Sequence, residues 1–195
     1  MNLSMNTRTC LYDANALNAV LDRMALQALA LVHGEQPTAV VGILRRGAPL
    51  ADALTQRLVQ RHGLPPPLRL DLSVRRYSDD LQLLYPETLL TEQAQHAQLD
   101  LTGHRVLLVD DVLYTGQSLL RVLPYLLGKQ AASVQLACLV DRCTVQLPVQ
   151  ATVVGLRLAI APTDIIECHV PPYEADFKIE LVQRPGMAPA CTNKP

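Results

Sequence analysis

One run of residues, 106–118, constrains the fold of this chain more than any other part of its sequence. It begins with an apolar, β-branched segment at 106–109, which predicts a short strand buried on both faces of a sheet. Two adjacent carboxylates, Asp110 and Asp111, follow at once, so the carboxyl edge of the sheet is expected at Asp110. Apolar residues at 119–123 then predict a packed helix. The run therefore predicts a strand–loop–helix unit of an α/β sheet.

The polar residues of this run suit a phosphorylated sugar. Two charges at the end of a buried strand are costly unless they face a crevice, and ionised carboxylates accept hydrogen bonds from a diol. The unpaired amides of the next helix, with the hydroxyls of Thr115 and Ser118, can bind a phosphate dianion, and Gly116 lets the backbone come close. The alternative is a plain connection in which Asp111 or Thr115 caps the helix.

The run 106–118 resembles the phosphoribosyl-pyrophosphate signature of type I phosphoribosyltransferases. Within that group, the chain is similar to the PyrR family, whose members are pyrimidine-operon attenuation regulators and uracil phosphoribosyltransferases. The further stretches that carry this similarity are residues 41–51, 133–142 and 147–149. The first of them resembles the pyrophosphate loop of the family and the helix after it. The resemblance covers residues 13–181 of the chain.

The resemblance implies an α/β fold of the type I phosphoribosyltransferase class, with a central parallel sheet flanked by helices plus a small hood from the C-terminal third. One domain is expected over residues 9–183, with flexible termini at 1–8 and 184–195. Hydrophobic periodicity independently predicts alternating helices and strands. The predicted helices are near 17–32, 50–58 and 119–123, and the predicted strands are at 39–44, 68–74, 106–109, 133–140, 152–156, 165–170 and 177–182.

The resemblance also implies an activity. The protein is expected to use phosphoribosyl pyrophosphate and Mg²⁺ to convert a free nucleobase, uracil by family analogy, to its nucleoside 5′-monophosphate with release of pyrophosphate. The expected catalytic residues are Asp110, Asp111 and Arg46. The residues expected to bind phosphoribosyl pyrophosphate follow two strand ends: Arg45, Arg46, Gly47, Asp110, Asp111, Val112, Leu113, Tyr114, Thr115, Gly116, Gln117 and Ser118.

The leaving diphosphate needs cationic groups and protection from water. Arg45 and Arg46 follow the predicted strand 39–44, where guanidinium groups and turn amides can bind it; a solvated cationic turn is the alternative. Mg²⁺ is expected to be bound mainly through substrate oxygens, with no dedicated protein site. A lid that closes over the pyrophosphate would exclude water, and exposed hairpin charges are the alternative interpretation of the same segment. The lid candidates are Arg75, Arg76 and Tyr77.

Asp141 and Arg142 end the predicted strand 133–140 and are the base-pocket candidates, with a local ion pair as the alternative. The chain departs from the family at 143–146 and 155–163, which border the base and, in regulators, contribute cationic RNA contacts. Two further functions therefore stay open. One is a PyrR-like RNA-binding attenuator of pyrimidine genes, and the other is a catalytically weak sensor of phosphoribosyl pyrophosphate.

Composition bounds the remaining choices. A length of 195 residues suits one domain, and a net charge of −1 does not demand nucleic acid as a partner. The cysteines show no C-x-x-C spacing, and Cys168 beside His169 is expected to be a packing residue, because strand neighbours point to opposite faces. No apolar signal core or membrane span is visible, so a cytoplasmic protein is expected. The expected partners are phosphoribosyl pyrophosphate and a nucleobase, and the resemblance implies a homodimer or a higher homo-oligomer.

Overall fold

The computed structural model of the chain describes residues 6–73 and 99–183. Within these ranges the helices are α1 (Ala14–Val32), α2 (Gly47–His62) and α3 (Gln117–Gly128). The strands are β1 (Thr7–Tyr12), β2 (Thr38–Leu44), β3 (Leu68–Ser73), β4 (Arg105–Leu113), β5 (Ser133–Asp141), β6 (Val153–Arg157), β7 (Ile165–His169) and β8 (Lys178–Gln183). None of the helices in these ranges is both long and apolar enough to cross a bilayer.

A parallel five-stranded sheet in the order β3-β2-β4-β5-β6 forms the centre of the molecule. Its middle strands are apolar and almost fully buried, as expected for strands covered by helices on both faces. The chain passes from β2 to β3 on one side and then places β4 on the other side of β2. The strand order therefore reverses between β2 and β4, and open α/β sheets bind ligands outside the carboxyl ends of their strands at such a point.

The two faces of the sheet have separate cores, because side chains alternate along each strand. Leu107 and Val109 of β4 pack in one cluster with residues of α1 and α2. Val106 and Leu108 pack in the other cluster with residues of α3. The predicted fold class, a parallel sheet flanked by helices, is confirmed.

The hood is a three-stranded antiparallel sheet in the order β1-β8-β7. Arg8 of β1 forms salt bridges to both other strands, with Glu167 of β7 at 2.7 Å and with Glu180 of β8 at 3.1 Å. The two C-terminal strands were predicted, whereas β1 was not. It begins at Thr7, two residues before the expected start of the domain, because its partner β8 lies at the other end of the chain and leaves no local pattern.

The carboxyl edge predicted at Asp110 was wrong, because β4 continues through both aspartates to Leu113. Its two neighbours differ in length. Pairing with β2 stops at Val109, whereas pairing with β5 continues to Leu113 opposite Asp141. The last four residues of β4 therefore have a strand on one side only, and the other side is open to the turn after β2.

Candidate functional site

The two aspartates of β4 are buried rather than exposed in an open crevice. Asp110 is 6% exposed and Asp111 is 3% exposed. As neighbours on a strand they point to opposite faces of the sheet, and Asp110 Oδ1 accepts a hydrogen bond of 2.9 Å from the backbone N–H of Asp111. Their burial follows from the extension of β4 beneath the turn that joins β2 to α2. The two carboxylates therefore lie deeper than the sequence pattern predicted.

Gly47 explains how this turn comes so close to β4. A side chain at Gly47 would meet the carbonyl oxygen of Val109 and the Cα of Asp110, the latter at 3.2 Å. Only a residue without Cβ lets the first turn of α2 rest on the strand at this point. The contact brings Arg46, the N-cap residue of α2, beside the aspartates.

Arg46 lies between two carboxylates from different parts of the fold. Its Nη1 is 3.8 Å from Asp111 Oδ2. Its Nε and Nη2 donate to Glu174 Oε1 at 3.1 and 2.6 Å. These hydrogen bonds lower the pKa of Glu174. The hydrogen bond to Glu174 and, to a lesser extent, the negative charge of Asp111 raise the pKa of Arg46. The charged guanidinium is thus fixed at the point where the strand order of the sheet reverses.

Arg45 contacts the same turn of the hood as Arg46. Its guanidinium carbon is 5.2 Å from the centre of the Tyr173 ring, a cation–π distance. The peptide bond between Leu44 and Arg45 is cis. Tyr173 and Glu174 were not predicted as site residues, because the hydrogen bond from Arg46 to Glu174 spans 128 positions of the sequence. No local signal connects partners so far apart.

The loop from Tyr114 leads into α3 and contains residues predicted to bind the sugar phosphate. Gly116 caps α3 with a φ of 85°, and a Cβ there would lie 2.5 Å from Cγ2 of Val149. As a glycine, this N-cap residue has no side chain that could accept hydrogen bonds from the first turn of α3. Because α2 and α3 each follow a strand of the parallel sheet, the amides of their first turns lie at the same edge of the sheet. The N-cap residue of α3 is thus Gly116 rather than Asp111 or Thr115.

Arg142 follows β5 and stacks on the same loop. Its guanidinium carbon is 4.5 Å from the centre of the Tyr114 ring, and its Nη2 donates to the carbonyl oxygen of Asp164 at 3.2 Å. Arg142 is 7% exposed, and its Nε has no hydrogen-bond partner among residues 6–73 and 99–183. Its neighbour Asp141 accepts the N–H of Cys143 at 2.8 Å and lies 3.9 Å from Arg157, so the two candidates do not form the local ion pair considered above.

One other cluster of reactive side chains and one buried cysteine lie on the hood. Glu167, His169 and Glu180 are close enough to share a metal ion, but Arg8 and Lys178 already bond to their carboxylates. Next to them, burial raises the pKa of the Cys168 thiol, so it is not a thiolate. The packing role predicted for this cysteine is confirmed.

The structure brings the predicted sugar, pyrophosphate and base residues to one edge of the sheet. Their positions are the turn after β2, the end of β4 with the loop into α3, and the end of β5. The lid candidates Arg75, Arg76 and Tyr77 lie outside the described residues, as do the predicted tail 184–195 and residues 1–5 of the predicted tail 1–8.

The ion pair of Arg46 and Glu174 should make stability depend on acid pH. The folded-state pKa of Glu174 is below its ordinary value of 4.5, so its contribution is full above that pH and is lost as the pH falls through the lowered value. We expect Glu174→Gln to have a lower Tm than wild type at neutral pH, and the difference to shrink as the pH falls below 4.5 and to vanish once the pH is below the lowered pKa. Calorimetric scans across pH measure this. A Tm difference that persists unchanged in acid would contradict it.

Comparisons with known proteins agree with this geometry. The family described as "Phosphoribosyl transferase domain" matches residues 8–176. A protein named "Bifunctional protein PyrR" from Elusimicrobium minutum is 33% identical over 87% of this chain and 94% of its own length. One of the same name from Deinococcus radiodurans is 30% identical over 89% of this chain and 94% of its own. The solved structure of a hypoxanthine phosphoribosyl transferase from Trypanosoma cruzi has a TM-score of 0.69 at 17% identity and covers 95% of both chains.

The family match spans most of the chain, and the relatives are aligned over nearly their whole lengths. The solved structure, at its low identity, supports the fold alone. The five-stranded sheet, the paired aspartates and β7 of the hood lie within the matched region, whereas β8 lies beyond it. The chain therefore belongs to the phosphoribosyltransferase family, with the type I fold, and is similar to the PyrR proteins over most of its length.

Proposed function

We propose that this protein transfers the 5-phosphoribosyl group of phosphoribosyl pyrophosphate to a free nucleobase, uracil by resemblance, and releases pyrophosphate. In this reaction a base nitrogen bonds to the anomeric carbon, the bond from that carbon to the diphosphate oxygen breaks, and the proton of the base nitrogen leaves. The observation that carries the proposal is the distance of 3.8 Å between Arg46 Nη1 and Asp111 Oδ2. At the point where the strand order reverses, Arg46 can donate hydrogen bonds to the diphosphate, and Asp111 beside it can accept hydrogen bonds from the ribose.

The sugar and its 5-phosphate are assigned to the end of β4 and the start of α3. The carboxylates of Asp110 and Asp111 accept hydrogen bonds from the ribose hydroxyls. The amides of the first turn of α3, with the hydroxyls of Thr115 and Ser118, donate to the phosphate. The dipole of α3 adds a favourable field for the dianion at the same place.

The diphosphate is assigned to Arg45, Arg46 and the first turn of α2. A guanidinium supplies planar donors to phosphate oxygens, and the N-cap residue of α2, Arg46, makes no side-chain cap hydrogen bond. Mg²⁺ prefers oxygen ligands, which the two aspartates offer, and when bound it would neutralise the leaving group. With Arg46 beside Asp111, we expect the ion to be held mainly through substrate oxygens. Arg75, Arg76 and Tyr77 remain our proposal for the lid that excludes water.

The nucleobase is assigned to the space beside Asp141, Arg142 and Tyr114. A buried guanidinium whose Nε lacks a partner among the described residues is costly unless a ligand accepts that hydrogen bond. A carbonyl oxygen of the base supplies the acceptor, which favours oxo bases such as uracil over amino bases. The resemblance to PyrR proteins supports uracil among the oxo bases.

Substitution of Arg142 tests the base pocket. We expect Arg142→Met to raise KM for the base about tenfold, because one hydrogen bond to a carbonyl oxygen is lost, while KM for phosphoribosyl pyrophosphate stays unchanged. Methionine keeps a contact with the Tyr114 ring, so the fold should survive. The control is Arg61→Met, an exposed arginine in the last turn of α2, which pairs with Asp22 at the opposite end of that helix from Arg46. Steady-state kinetics with each substrate varied in turn measures both constants, and an equal rise in both would argue against this pocket.

The activity itself is tested with a panel of bases. The purified protein, Mg²⁺ and phosphoribosyl pyrophosphate are incubated with uracil, hypoxanthine, guanine, xanthine, adenine or orotate, and the nucleotide product is quantified. We expect product with uracil. Thermal stabilisation by phosphoribosyl pyrophosphate without any product would favour the sensor function instead. If neither product nor stabilisation is observed, the proposal is refuted.

An RNA-binding role has less support from the described residues. Arg8 and Lys178, the cations of the hood sheet, are bonded to carboxylates of the same sheet. Filter binding of pyrimidine-leader RNA at several salt concentrations tests it, because contacts to RNA phosphates weaken steeply with ionic strength. A cytoplasmic location remains a prediction from the sequence pattern, and a homo-oligomeric state remains a prediction from the resemblance.

A further inference from the structure

The turn between β7 and β8 reaches from the hood to the pyrophosphate loop. Glu174 lies in this turn, and both of its carboxylate oxygens are used. Oε1 accepts from Nε and Nη2 of Arg46 at 3.1 and 2.6 Å. Oε2 accepts from the backbone N–H of Val170 at 2.8 Å. The carboxylate thus connects the arginine to the backbone of the hood.

The turn is well suited to hold that carboxylate still. The backbone N–H groups of Tyr173 and Glu174 both donate to the carbonyl oxygen of Val170, at 3.1 and 3.4 Å. Val170 itself is buried in the core. Tyr173, next to Glu174, lies under the guanidinium of Arg45. One short turn therefore contacts both arginines that follow β2.

We propose that Glu174 is a positioning residue that holds the guanidinium of Arg46 with its Nη1 edge toward Asp111, ready for the diphosphate of phosphoribosyl pyrophosphate. This inference rests on the proposed function and adds a residue to it. Glu174 acts through Arg46 and does not touch the reacting atoms.

The geometry of the pair supports positioning rather than sequestration. Glu174 uses the Nε and Nη2 side of the guanidinium, and Nη1 stays on the side of Asp111. The Arg46 side chain is 33% exposed, so a ligand can still reach it. A long side chain that is already ordered loses less conformational entropy when the ligand binds. Removing Glu174 should therefore weaken binding of phosphoribosyl pyrophosphate and leave the base site unchanged.

The test compares Glu174→Ala with Asp176→Ala, which removes another carboxylate from the same turn. Asp176 is 73% exposed and lies 3.8 Å from Lys178, away from both arginines. We expect Glu174→Ala to raise the Kd of phosphoribosyl pyrophosphate, measured by calorimetry with Mg²⁺, about fivefold to tenfold. Asp176→Ala should leave it within about twofold. KM for the base should be unchanged in both variants.

A double-mutant cycle separates positioning from a general structural effect. In an Arg46→Ala background, Glu174→Ala should change the Kd by less than about twofold, because the partner it positions is gone. Glu174→Gln, which keeps the shape and one acceptor oxygen, should fall between wild type and Glu174→Ala, and it replaces the alanine variant if that variant does not fold.

Three results would overturn the inference. One is an unchanged Kd in Glu174→Ala, and another is a lower Kd, which would mean that Glu174 restrains Arg46 from binding. The third is an equal effect of Glu174→Ala with and without Arg46. In each case wild type still binds phosphoribosyl pyrophosphate, so only the role of Glu174 fails. If wild type itself does not bind it, the proposed function fails and this inference fails with it.

Discussion

Replacement of Asp111 by asparagine is expected to lower kcat/KM for phosphoribosyl pyrophosphate about 100-fold, or about 2.7 kcal/mol of transition-state stabilisation. The variant keeps the shape of the side chain but loses the negative charge beside Arg46. It also replaces one acceptor oxygen by an amide donor, which cannot accept a hydrogen bond from a ribose hydroxyl. The fold should persist, because Arg46 keeps its hydrogen bonds to Glu174.

The matched control for this prediction is Asp52→Asn. Asp52 lies on α2 and pairs with Arg69 at 2.7 Å, with a side chain that is 67% exposed. Its replacement should leave kcat/KM unchanged. Steady-state kinetics and thermal unfolding of both variants measure the effects. If Asp111→Asn retained wild-type kcat/KM, the assignment of the ribose site to β4 would be refuted.

Gly47→Ala is expected to reduce both stability and activity. The added Cβ would meet backbone atoms, the carbonyl oxygen of Val109 and the Cα of Asp110, and these cannot rotate away as a side-chain tip can. Either α2 or β4 must shift, at a cost of about 2–3 kcal/mol in the free energy of unfolding. For a chain of this size the Tm should fall by about 5–10 °C. Since the shift moves Arg46 away from Asp111, kcat/KM should fall as well, by about tenfold or more.

Gly128→Ala is the matched control, because it makes the same chemical change in open space. A Cβ at Gly128, the last residue of α3, has nothing within 4 Å. Its Tm and kcat/KM should stay close to those of wild type. Calorimetry and kinetics on the two variants decide the matter. Wild-type values for Gly47→Ala would mean that the close approach of α2 to β4 is not required.

The parts of the fold that could be predicted have a local signal. The strand before the run 110–118 and the helix after it differ in hydrophobic period, so each could be recognised from the sequence. The turn 45–47 follows a buried strand in the same way. Since parallel strands place their carboxyl ends at one edge, the two motifs could be expected to meet. The structure brings them together, with Arg46 and Asp111 as the contacting residues.

The parts that could not be predicted depend on pairings between distant segments. The end of β4 at Leu113 is determined by β5, not by the residues that follow the aspartates. Likewise, β1 forms only because β8 pairs with it. Glu174 resembles any carboxylate in a proline-rich turn until the fold brings it to Arg46.

The pairing of β1 with β8 connects β1 to the turn that supports Arg46. β1 is an edge strand of the hood, and β8 follows directly after the turn that carries Glu174. Proteolytic clipping or an affinity tag that displaces Thr7–Tyr12 would loosen β8, and with it the support of Arg46. Damage to β1 would thus affect Arg46, the proposed catalytic arginine, although the two are distant in the sequence.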